Sequence, residues 1–121
     1  VIGVQLLEPE LDRLHDLWSD GLSDTYHAYL ETVDQPKLAL AAALIEVGIR
    51  LQGLGGRAAP PTTLLMGDLC LARGSRLLAD HAALPVQVAF ARAIELLSSR
   101  AAAGQPAPTS RQLLREALLA R

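Results

Sequence analysis

"LALAAALIEVGIRLQGL", residues 38–54, is apolar on most of its sides. A helix with leucine, alanine, valine and isoleucine nearly all round belongs at the centre of a bundle or against a partner that covers it. Asp34-Gln35-Pro36 precedes it, with Asp34 as the predicted N-cap and proline at the start. Gly53-Leu54-Gly55-Gly56 ends it, and Arg57 to Pro61 follow as a short loop.

Working toward the N-terminus, Leu11, Leu14, Leu17 or Trp18, Leu22, Tyr26 and Tyr29 or Leu30 recur at three- and four-residue steps after Glu8-Pro9-Glu10, a helix start. Toward the C-terminus, Thr62 or Thr63 is the predicted cap of a third helix, and Pro85 marks the first turn of a fourth. Gly104 to Pro108 break the chain, after which Thr109 or Ser110 caps "RQLLREALLAR", with Leu113, Leu114, Ala117 and Leu118 in one stripe. The expectation is a single all-α domain over residues 1–121, with helices at about 9–32, 36–54, 63–82, 84–102 and 110–120.

Composition narrows the function. The 121 residues suit one core, and half of them are apolar while only one Trp, two Tyr and one Phe are present, so helix-to-helix seams of aliphatic side chains are predicted. A formal charge of −2 offers no general attraction to phosphate backbones or anionic lipids. Nucleic acid is therefore not an expected partner, and Arg111 and Arg115 alone do not make a recognition face. The single Cys70 excludes an internal disulfide, no apolar run reaches the roughly 20 residues of a membrane span, and a cytoplasmic location is expected.

Spacing bears on three kinds of chemistry. Asp12-x-x-His15 and Asp24-x-x-His27 each set a carboxylate and an imidazole one helical turn apart, as in carboxylate-bridged metal bundles. Their offset of twelve residues turns one pair about 120° from the other, so they cannot share a site on one straight helix, and no metal site is expected. Cys70 lies between Leu69 and Leu71 with no histidine nearby and reads as core filling. "GLGGR", Gly53 to Arg57, follows a helix and lacks the lysine of a phosphate loop, so it reads as a helix stop.

Residues 43–80, "ALIEVGIRLQGLGGRAAPPTTLLMGDLCLARGSRLLAD", resemble the middle of the trans-polyprenyl diphosphate synthase family, the all-α enzymes that elongate isoprenoid chains. Gly67-Asp68-Leu69, Leu71-Ala72 and Leu77-Leu78-Ala79 match a helix of that family, and Glu46 matches a glutamate on the helix before it. The resemblance implies a reduced isoprenoid-synthase-like fold in which Glu46, Gly67 and Asp68 are structural motif residues. Catalysis in the family needs two aspartate-rich segments that hold Mg²⁺ against a diphosphate. Between Glu46 and Asp68 this sequence has no Asp or Glu, and "RLQGLGG", Arg50 to Gly56, stands where the first segment belongs. No catalytic residue, metal ligand or cofactor is therefore expected in this chain.

"LIEVGIRLQGL", Leu44 to Leu54, is similar to the small, non-catalytic subunits of heteromeric hexaprenyl and heptaprenyl diphosphate synthases, which serve quinone side-chain synthesis. The implied role is a regulatory subunit that binds a catalytic large subunit, in which Mg²⁺ is held, and supports long products. Ile45, Ile49, Leu65, Leu69 and Ala72 are the candidate interface or tunnel-floor residues, each also able to serve as plain core. Asp68 is expected to pair with an arginine or with backbone amides. The alternative is a homodimeric helical module that binds an isoprenoid or other lipid without catalysis.

Overall fold

The computed structural model describes residues 21–52, 61–105 and 109–121. Among them are five helices and no strand: α1 (Ser23–Leu30), α2 (Pro36–Leu51), α3 (Pro61–His81), α4 (Leu84–Ala102) and α5 (Ser110–Leu118). The chain is an all-α bundle, as the apolar periodicity predicts. The expected helix over 9–20, the Asp12/His15 pair and the "GLGGR" segment lie outside the described residues.

Helix α2 is the hub, packed against α1, α3 and α5. Ala39, Ala41, Ala42, Ala43 and Ile45 have no exposure at all. The apolar surface of this helix, which the sequence alone leaves open to a partner, is covered by the chain's own elements. Small side chains allow this, because α1, α3 and α5 can each approach a face that alanine dominates.

The seam between α2 and α3 is the closest of these. Contacts join Gly48 to Gly67 and Leu71, and Ala41 and Ile45 to Gly74, so the two helices run antiparallel. Ala41 and Gly48 are seven residues apart, as are Gly67 and Gly74, which keeps a small residue at the seam on both helices every second turn. Cys70 and Leu78 fill the positions between and beyond.

Helix ends follow local chemistry, with three departures from the expected caps. The cap of α2 is Gln35, not Asp34, and no side chain bonds there, since the fixed φ and missing N–H of Pro36 already suit a first helical position. Thr62 and Thr63 are within α3, which is helical from Pro61, so neither caps it. α2 is helical to Leu51 rather than to 54. By contrast α4 matches the expected span, and Thr109 caps α5, its Oγ1 accepting from the Gln112 N–H at 3.3 Å. Gly104, at φ +66°, stops α4: its N–H donates to the Ala101 carbonyl and that of Gln105 to the Arg100 carbonyl at 2.9 Å. That pair of bonds is a Schellman closure, which an L side chain at Gly104 would strain.

Candidate functional site

The chemistry-bearing side chains converge on Glu46, which is 4% exposed at the middle of α2. An ionised carboxylate there needs partners from several directions. From α1, the Tyr29 hydroxyl donates to Oε1 at 2.7 Å. From α5, Arg111 donates through Nε to Oε1 at 3.1 Å and through Nη2 to Oε2 at 3.0 Å, a two-point fork. From the next turn of α2, Arg50 lies 3.5 Å away and also donates to Thr25 Oγ1 at 3.1 Å. Three helices thus meet on one acid.

Charge states follow from this geometry. Burial alone would raise the Glu46 carboxyl, but the Arg111 fork, the Tyr29 hydroxyl and the charges of Arg111 and Arg50 hold it below its usual 4.5. Tyr29 is pushed well above its ordinary value by burial and by donation to that carboxylate. Arg111 is raised by its bonds to Glu46. A carboxylate that is ionised and fully engaged is a poor proton shuttle at neutral pH, so the cluster is a structural node.

A pH dependence follows, with its sign. Glu46 is depressed in the folded state, so its stabilising contribution is complete above about pH 4.5 and is lost as pH falls through the lower folded value. Thermal melting followed from pH 7 down to 3 is expected to lose stability mainly below pH 4.5, and Glu46→Gln should flatten that limb. An unchanged acid limb in the variant would contradict this role for Glu46.

Beside the node, Glu46, Arg50, Thr109, Ser110 and Arg111 border a hollow of about 410 Å³. A larger apolar groove of about 650 Å³ lies between α4 and α5, with Leu84, Val88, Leu96 and Leu113 among its walls.

The candidate residues from the sequence do not form one site. Ile45 and Ile49 are buried in α2, and Ile45 packs on Gly74. At about 100° per residue, Leu65, Leu69 and Ala72 fall on the side of α3 opposite Gly67 and Gly74. Leu65 is 58% exposed, Ala72 is exposed and Leu69 half-buried, so α3 itself stands between the two groups.

Gly67 is a packing residue: a Cβ there would come within 3.1 Å of the Gly48 carbonyl oxygen and 2.8 Å of Gln52 Cγ. Asp68 is exposed and takes a hydrogen bond from Gln52 Nε2, where an arginine or backbone amide was expected. The side chain of Gln52 reaches it because the end of α2 faces the start of α3 in the antiparallel pair. Asp24 and His27 are both exposed, and His27 Nδ1 lies 2.6 Å from the Ser23 carbonyl oxygen, a local contact. Among the described residues no three His, Cys, Asp or Glu side chains come together as a metal site would require.

Cys70 is fully buried, and burial pushes its thiol up to about 11. It is expected to react with a thiol reagent at pH 8 only through unfolding. Its labelling rate should therefore rise with denaturant in step with loss of helicity, and fast labelling of the native chain would contradict the burial.

Sequence reasoning found Glu46 but not its partners. Tyr29 read as part of an amphipathic face, and Arg111 only as one of two arginines too few for a recognition face. The available signal was Glu46 itself, since a lone acid in an apolar helix demands a cation, but helical spacing points only to Arg50. No family model, curated protein or solved structure matches this chain. Among the described residues no helix is long and apolar enough to cross a membrane.

Proposed function

We propose that this chain is a non-catalytic subunit of a heteromeric trans-polyprenyl diphosphate synthase, binding a catalytic subunit and supporting long-chain synthesis for quinone side chains. The observation that carries the reading is the outer face of α3. Leu65 is 58% exposed there, and Ala72 is exposed two turns on, beyond half-buried Leu69. These residues belong to the segment that resembles the synthase family, and they lie on the side of α3 turned away from α2, the described helix it packs on most closely. The groups with catalytic potential support the same reading, because Glu46 is engaged as an ion pair and Cys70 is a buried neutral thiol.

The test is co-expression with a synthase that carries both aspartate-rich segments and is encoded beside this chain. Mg²⁺-dependent condensation of isopentenyl diphosphate with farnesyl diphosphate is expected to be faster and to give longer products with this chain than without it. Leu65→Asp, at an exposed position, should abolish that gain while leaving helicity unchanged. Equal activity and equal product length with and without the chain would end the proposal.

A further inference from the structure

The groove between α4 and α5 is apolar on its walls and doubly charged on its rim. Leu84, Val88 and Leu96 are 70%, 39% and 36% exposed along α4, a ridge of apolar side chains beside a hollow. On the rim stand Arg92, Arg121 and Glu116, all exposed and none in an ion pair with another described residue.

Unpaired charges of both signs constrain what can cover the groove. A partner with an acidic flank would meet Glu116, and one with a basic flank would meet the two arginines. A second copy of this chain answers both. In a two-fold contact the same patch meets itself, so that if one residue faces another, the reverse pair forms as well. We propose that two copies of this chain associate through the α4–α5 groove, the ridge of Leu84, Val88 and Leu96 packing against the partner copy, with Glu116 of each facing Arg92 of the other.

The available area supports a concentration-dependent dimer. The 19 residues of α4 span about 28 Å, and two helices are roughly 20 Å wide, giving on the order of 500 Å² per copy, near the lower end of specific interfaces. This inference is independent of the synthase reading, which rests on the outer face of α3, so either can fail without the other.

The test measures the chain alone, by sedimentation velocity and native mass spectrometry over a concentration series. A monomer–dimer equilibrium is expected. Arg92→Glu and Glu116→Arg each replace two attractive pairs with two repulsive ones and should weaken the dimer by about tenfold. Mixing the two single variants in equal amounts should restore association as a mixed dimer, because both cross-pairs are then opposite in sign. Val88→Asp should abolish the dimer, and all three variants should keep the parent's helical circular dichroism. A chain that is monomeric at every concentration, reversals without effect, or a mixture no tighter than its components would overturn the proposal. It would equally be overturned if the monomer carried co-purified lipid that Val88→Asp released, or if Val88→Asp acted only on binding of a synthase.

Discussion

Glu46→Ala is expected to destabilise the bundle by about 3 kcal/mol, enough to remove a large share of a small domain's total stability. The substitution leaves the Tyr29 hydroxyl, on a side chain with no exposure, without its acceptor, a loss of about 1–3 kcal/mol by itself. It also empties the space of the carboxylate and frees Arg111 and Arg50. The side chain of Arg111 is 41% exposed and its charge recovers hydration, so its release adds less than the loss of a wholly buried partner would. Arg111→Ala works in the opposite sense: it keeps the acid buried with only Tyr29 and the more distant Arg50 to satisfy it.

The two variants are distinguished by pH. In Arg111→Ala the buried carboxyl titrates upward and can be protonated, so its deficit of about 2–3 kcal/mol should shrink between pH 7 and pH 4.5. In Glu46→Ala there is nothing left to protonate, and the deficit should be largest where the parent's acid is ionised. Denaturant unfolding at the two pH values measures both. Parallel pH profiles for the two variants, or a loss below about 1 kcal/mol in Glu46→Ala, would show that the three helices are not held by this acid.

The bundle was legible in the sequence because its elements are local. Leucine periodicity, Pro36, Pro85, Thr109 and Gly104 each state a helix or its end within a few residues. What joins the elements was less legible. The Glu46–Arg111 pair spans 65 residues and no periodic rule links its members. The sidedness of α3 was partly legible, since Gly67, Cys70 and Gly74 share a face, yet the sequence alone did not say that this face meets α2 and leaves Leu65 and Ala72 outside. Apolar composition left two readings open at α2, the centre of the bundle or a face covered by a partner, and the chain's own helices decide for the first.

Gly74→Ala is expected to destabilise by about 1–2 kcal/mol, although glycine to alanine within a helix ordinarily stabilises by about 1 kcal/mol. The reversal of sign is steric. An added Cβ at position 74 would stand 2.7 Å from Ile45 Cγ1 and 2.9 Å from the Ala41 carbonyl oxygen. The first neighbour is the methylene next to the branch point of a side chain with no exposure, and the second is the backbone of α2, so neither can move without shifting the seam. Gly48→Ala meets the same obstacle from the other helix, at 2.8 Å from Leu71 Cγ and 3.0 Å from the Gly67 carbonyl oxygen. Because Gly48, Gly67, Gly74 and Ala41 hold one continuous contact, spreading the helices at either point also loosens the other. Ile45→Ala alone leaves a cavity worth about 2–4 kcal/mol. Combined with Gly74→Ala it should lose less than the sum, since the new methyl occupies part of the vacated space and one of the two clashes is gone. The clash with the Ala41 carbonyl remains, so the double variant should not recover the parent's stability. Chemical denaturation of the two single variants and the double variant measures this coupling. A Gly74→Ala chain as stable as the parent, or strict additivity with Ile45→Ala, would show that α2 and α3 are not in backbone contact at this point.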